Sequence, residues 1–154
     1  MKGYLADVNH VDAHFNKSQS FMLNLRTTPA SDLIRLSAVS YGEICAGHQM
    51  CPTTNIQIRS EYNKFVIEFY QHLILQIDSM TGPYYAQIMG RIWQANEPKG
   101  GQVGTDAHLL HLGVDINDVW LVASAWEHGL TVLTQDRMKC IREAAPEVDF
   151  ECWI

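Results

Sequence analysis

No run of about 18 apolar residues occurs in the chain, so no part of it is expected to span a membrane. Its cysteines, Cys45, Cys51, Cys140 and Cys152, include no Cys-x-x-Cys pair. Free buried thiols are therefore expected, and no disulfides. Basic side chains are scarce. The 11 Lys and Arg stand against 17 Asp and Glu, a net charge of −6, which argues against a broadly basic nucleic-acid binder. It leaves room for a metal enzyme acting on nucleic acid, because bound cations reverse the local field. There is no GxxxxGK(S/T) or GxGxxG segment to cradle a nucleotide. No serine stands in a G-x-S-x-G elbow. Internal repeats and low-complexity segments are missing too. Asp7 falls where the apolar core of a secretion signal would lie, so no such signal and a cytoplasmic location are expected.

What is present is a globular composition, 47% hydrophobic and 18% charged. The length suits one domain covering residues 1–154. Strand and helix signals alternate. Tyr4–Ala6, Ile34–Val39, Leu73–Ile77, Thr131–Leu133 and Val148–Trp153 read as strands. Helices are predicted over Asn9 to Lys17, Phe21–Leu25, Ser40 to His48, from Asn55 onward, Tyr84–Ala95, Asn117–His128 and Asp136–Ala145. Gly129 is the expected stop of the Asn117–His128 helix. Glu97–Thr105, with its PKGGQVG run, is the one clear loop. This alternation implies an α/β domain with a mostly parallel sheet, whose ligands bind outside the carboxyl ends of the strands.

Four acids fall at such places: Asp7 in YLADVNH, Glu43 in SAVSYGEICAG, Asp118 in GVDINDVWLVASA and Asp136 in TVLTQD. Each has an ordinary alternative. Ser40 and Glu43 have the spacing of a capping box. Asn117 and Asp118 suit a cap and a first-turn acid. Asp136 is a plausible N-cap for the last helix, and Asp7 could merely start a turn. Gathered at one sheet edge, however, the four would repel one another without a cation. Oxygen-only donors suit Mg²⁺ or Mn²⁺.

The order of these motifs resembles the PIN-domain family, and within it the small VapC-like ribonucleases that are toxins of bacterial toxin–antitoxin modules. The matching pieces are YLADVNH, SAVSYGEICAG, NDVWLVASAWEHG, and TVLTQD followed by a short helix and a strand ending in an aromatic residue. The resemblance covers most of the chain; residues 50–110 match only in helical character. It implies a three-layer α/β/α domain and a Mg²⁺- or Mn²⁺-dependent endoribonuclease. It also implies a homodimer, an RNA substrate and a cognate antitoxin. By position, Asp7, Glu43, Asp118 and Asp136 would form the metal site, supported by Asn9, Ser40 and Thr134. Two rivals are a PIN-like nuclease for RNA processing or DNA, and a silent binding module whose acids are only caps.

The chain departs from the family pattern over Pro98–His111, which is long and rich in Gly and His, and in the CPTTN run. Asp106 and Asp115 lie near the first of these, and Asp115 is a substitute or helper for Asp118. Cys45, His48 and Cys51 have soft-ligand spacing, with His10 or His14 as a possible fourth zinc ligand, but Cys45 and Cys51 do not share a helix face. His108 and His111 are weighed as an acid–base or metal pair against a plain polar helix edge. Arg91, Lys99, Arg137, Lys139 and Arg142 are candidate phosphate contacts, with solvated surface the alternative. Trp93, Trp120 and Trp126 read as core or dimer interface rather than as base-stacking platforms.

Overall fold

The first strand, β1 (Tyr4–Ala6), is buried at all three positions, as a central parallel strand covered on both faces must be. The computed structural model describes residues 2–100 and 104–154. After β1 come α1 (Val8–Phe15), α2 (Gln19–Thr27), β2 (Ile34–Ser37) and α3 (Ala38–Gln49). A 3-10 turn at Thr53–Asn55 leads into α4 (Ile56–Tyr70), β3 (Ile74–Leu75) and α5 (Gly82–Ala95). The chain then forms α6 (Thr105–His111), α7 (Ile116–His128), β4 (Thr131–Leu133), α8 (Lys139–Ala144) and β5 (Phe150–Glu151). Among the described residues no helix is long and apolar enough to cross a membrane.

The five strands lie in the order β3-β2-β1-β4-β5, and every pairing is parallel. The chain builds outward from β1 to β3, then crosses over to add β4 and β5 on the other side. The strand order therefore reverses between β1 and β4, which opens a crevice at their carboxyl ends. The backbone N–H of Asp7 donates to the Leu133 carbonyl (3.0 Å) and pins that residue at this reversal.

Alternation along the strands sends side chains into two cores. Leu5 and Val132 join Ile88, Ile92, Val119 and Val122 beneath α5 and α7. Tyr4, Ala6, Leu36 and Leu133 join Val11, Phe21, Val66 and Tyr70 beneath α1, α2 and α4. Each fully buried Val, Leu, Ile or Phe among them contributes about 1.5–3 kcal/mol. The result is the expected three-layer α/β/α arrangement.

Several boundaries differ from those read in the sequence. Strand β2 ends at Ser37, because Ser37 Oγ accepts the Ser40 N–H (3.0 Å) and starts α3 there. The Ser40–Glu43 capping box is therefore not formed. Helix α7 is capped by Asp115, whose side chain accepts the Asn117 N–H (2.8 Å), so Asn117 is not the cap. Asp136 does not cap the last helix either. That helix starts only at Lys139, after Met138 adopts a left-handed conformation (φ 41°). Part of the expected loop at Glu97–Thr105 lies outside the described residues, and Thr105 already belongs to α6. Gly129 does stop α7, with φ 62°.

Candidate metal centre

Asp7 is the first residue after β1 and the N-cap of α1. Burial of a carboxylate costs free energy unless its oxygens are bonded. One oxygen is well served: Oδ1 accepts the His10 backbone N–H (2.8 Å) and faces His10 Nδ1 (2.8 Å). The other, Oδ2, is buried and has no hydrogen-bond partner. Capping explains the first oxygen and leaves the second without a role.

Around Asp7 lies a cleft of about 320 Å³, lined by Val8, Asn9, Ser40, Glu43, Asp115, Asn117, Asp118, Leu121 and Asp136. Five of its lining residues are acids and none is basic. Glu43 projects from α3 and accepts a hydrogen bond from Asn117 Nδ2 (2.7 Å), which joins the start of α7 to α3. Asp118, in the first turn of α7, is half-buried. Burial pushes its carboxyl up to about 7, and the charges of Asp115, Asp136, Glu43 and Asp7 add to the shift. A carboxylate field of this kind favours a proton or a cation.

The sequence-predicted acids Asp7, Glu43, Asp118 and Asp136 thus share one cleft, together with Asn9 and Ser40. Ser40 is buried and its Oγ accepts from Ser37 Oγ (3.1 Å). Thr134 does not line the cleft. Its Oγ1 accepts the Asp136 backbone N–H (3.0 Å), so it acts on the loop that carries that acid. Asp115 is a fifth acid of the cleft; Asp106 instead lines an apolar groove with Leu109 and Leu110. His10 and Asn117 were missed as parts of the site. Asp-x-x-His at a helix start was the available signal for the first.

The donors are oxygen-only, and Asp7 Oδ2 is an orphan, so the residues suit a hard divalent cation. Among the described residues no three His, Cys, Asp or Glu side chains have closed up as a ready ligand set. Mutual repulsion accounts for such a spread among like charges. Cys45, His48 and Cys51 are likewise not closed up as a ligand set among the described residues; all four cysteines are free, three of them half-buried and Cys152 exposed. His10 and His14 are committed elsewhere, His14 facing the Tyr70 hydroxyl through Nδ1 (2.8 Å).

A larger cavity of about 680 Å³ lies between the end of α5 and α6, lined in part by Lys99, His108 and His111. His108 is buried with Nε2 on the Asn96 carbonyl, and its ring packs edge-on against Trp93. Arg91 is not free for phosphate: it forms a two-pronged pair with Glu147 (2.8 Å each) and bonds the Ala144 carbonyl. Arg142 bonds the Asp136 carbonyl (2.9 Å) and lies over the Phe150 ring. Arg137 and Lys139 are exposed beside Asp136. Trp120 stacks on Tyr85 and Trp126 packs against Tyr84; both tryptophans are half-buried, and Trp126 lies against the core beneath α5 and α7.

No protein-family profile and no curated protein sequence matches the chain. Solved structures do. VapBC2 from Rickettsia felis, bound to a DNA fragment from its promoter, contains a chain with TM-score 0.70 and 17% identity, with 99% of each chain covered. VapBC-1 from nontypeable Haemophilus influenzae gives TM-score 0.71 at 13% identity, covering 98% of each. FitAcB from Neisseria gonorrhoeae gives 0.68 at 20%, covering 96% of this chain and 95% of that one. The chain shares their fold. It is the PIN-like α/β/α fold that the motif order implied, now matched over almost the whole length.

Proposed function

We propose that this protein is a Mg²⁺- or Mn²⁺-dependent endoribonuclease and the toxin of a toxin–antitoxin pair. The observation that carries the chemistry is the orphaned, buried Oδ2 of Asp7 in a cleft lined by four further acids and no base. Asp7, Glu43, Asp118 and Asp136 would hold the cation, with Asn9 and Ser40 beside them and Thr134 steadying the Asp136 loop. Bound there, the cation would activate a water and neutralise charge on the scissile phosphate. Asp7 contributes an oxygen already stripped of competing donors. Asp118, whose carboxyl burial and the neighbouring acids push up to about 7, would give up its proton where it held the cation. Asn117 holds Glu43 in place. Arg137 and Lys139, exposed next to Asp136, are suited to meet backbone phosphates.

The toxin reading draws on the fold shared with chains of VapBC and FitAB complexes. It brings with it a cognate antitoxin, a homodimer and a cytoplasmic location. A second reading has its own support: Asp7 and Asp115 do cap helices, so a silent binding module of the same fold is the alternative. Incubation of the purified protein with total cellular RNA and Mn²⁺ separates them. Cleavage that disappears in Asp7→Asn and in excess chelator is expected. Full cleavage in that variant would sink the site assignment, and no cleavage by the wild type would favour the silent module.

A further inference from the structure

His10 is fully buried, and both ring nitrogens are engaged. The backbone N–H of Trp153 can only donate, and it points at His10 Nε2 (3.1 Å). Nε2 must therefore carry the lone pair. The ring proton then resides on Nδ1 and is given to Asp7 Oδ1 (2.8 Å). The same oxygen takes the His10 backbone N–H (2.8 Å). Two donors thus fix Oδ1, and Oδ2 is the oxygen left over. At the other end, Trp153 is wedged between Tyr4 (centroids 4.8 Å) and Phe21 (5.7 Å), and its indole N–H donates to Glu151 (2.9 Å).

We propose that His10 is a positioning residue. It holds Asp7 by Oδ1 so that Oδ2 is offered to a cation, and it makes this arrangement depend on the docking of Trp153. The proposal rests on the metal-site reading given above. The relay joins residues 143 positions apart, so the C-terminal segment completes a site whose first ligand lies at the start of the chain. Packing alone would be satisfied by any side chain of similar volume. A carboxylate held by one face needs a donor on one side of the ring and an acceptor on the other, which imidazole in this tautomer supplies.

Two substitutions divide the roles. An asparagine amide nitrogen replaces Nδ1, so His10→Asn keeps a donor for Asp7. A glutamine amide oxygen replaces Nε2, so His10→Gln keeps an acceptor for Trp153 and loses the donor. Mn²⁺ affinity of the full chain, read from the free-ion electron paramagnetic resonance signal, should weaken by about 10–100-fold in His10→Gln. It should weaken less in His10→Asn, even where that variant has the lower Tm. Unchanged affinity in His10→Gln, or losses that follow Tm alone, would overturn the proposal. Should neither variant fold, long-range ¹H–¹⁵N spectra of the wild type decide: the Nδ1–H tautomer supports it and Nε2–H overturns it. Wild-type Mn²⁺ binding that Asp7→Asn does not weaken sinks the site reading and this proposal together. Binding that requires Asp7 but ignores His10→Gln sinks the proposal alone.

Discussion

Asn117 Nδ2 donates to Glu43 Oε1 at 2.7 Å, across 74 positions of sequence. The bond ties the first turn of α7 to α3 at the mouth of the acidic cleft. An amide is the right group there, because it offers a donor without adding charge to a cleft of five acids.

Asn117→Asp replaces that donor with a sixth carboxylate facing Glu43. The lost bond and the new repulsion should lower the Tm of the metal-free protein by about 2–4 °C, equivalent to about 1 kcal/mol at this chain length. Saturating Mn²⁺ should recover most of the loss. A calorimetric scan with and without metal checks both halves, and an unchanged metal-free Tm would remove Asn117 from the site's electrostatics.

The sequence showed the sheet edge more clearly than its details. The runs at Tyr4–Ala6 and Thr131–Leu133 are short, rich in aromatic, β-branched and aliphatic residues and followed closely by an acid, so the strands and those acids were legible. Caps were not. Ser37-x-x-Ser40 and Ser40-x-x-Glu43 have the same spacing, and only the real end of β2 chooses between them. Asp136 looked like a cap because nothing local announces that Met138 will take a left-handed turn. The Asp7–His10 spacing was visible, but its meaning depends on Trp153 at the far end of the chain. Tertiary partners of this kind leave no periodic trace.

Three helices end in the same backbone pattern. Ser18 N–H reaches the Ala13 carbonyl after α1, Val114 N–H reaches Leu109 after α6, and Leu130 N–H reaches Ala125 after α7. The left-handed residue in each is Lys17 (φ 52°), Gly113 (φ 67°) and Gly129 (φ 62°). Only the first carries a Cβ, which is strained in that region. Lys17→Gly should therefore stabilise by about 0.5–1 kcal/mol. Gly129→Ala, with open space around it but the same positive φ, should destabilise by a similar amount. Urea denaturation of the two variants should give midpoints that move in opposite directions.

The Tyr70 hydroxyl faces His14 Nδ1 (2.8 Å) inside a cage of Phe21, Phe65 and Phe69. Both groups are buried, and burial lowers the His14 pKa. Tyr70→Phe leaves that nitrogen unpaired and should cost about 1–3 kcal/mol. His14→Phe in the Tyr70→Phe background removes the orphan and should restore part of the loss. Chemical denaturation of the single and double variants checks this; additive losses would show that the pair is not coupled.

Asp118 gives the metal-free protein a pH dependence of definite sign. Its folded-state pKa, about 7, lies above the ordinary 3.8. Between those values the folded state holds the proton more tightly than the unfolded chain. The stability from this group is thus complete below 3.8 and is lost as pH rises through about 7. His14 contributes the opposite slope: its lowered pKa makes the fold less stable as pH falls below its ordinary value of 6.5. Comparison of variants separates the two. Asp118→Asn should raise the metal-free Tm by a few degrees at about pH 8, by clearly less at about pH 5, and hardly at all below the ordinary 3.8. The same variant should lose Mn²⁺ affinity, and wild-type affinity should itself fall as pH drops below about 7, when the proton competes with the cation. An Asp118→Asn gain that is equal across these pH values would show that neither burial nor the neighbouring acids raise Asp118 in the folded protein.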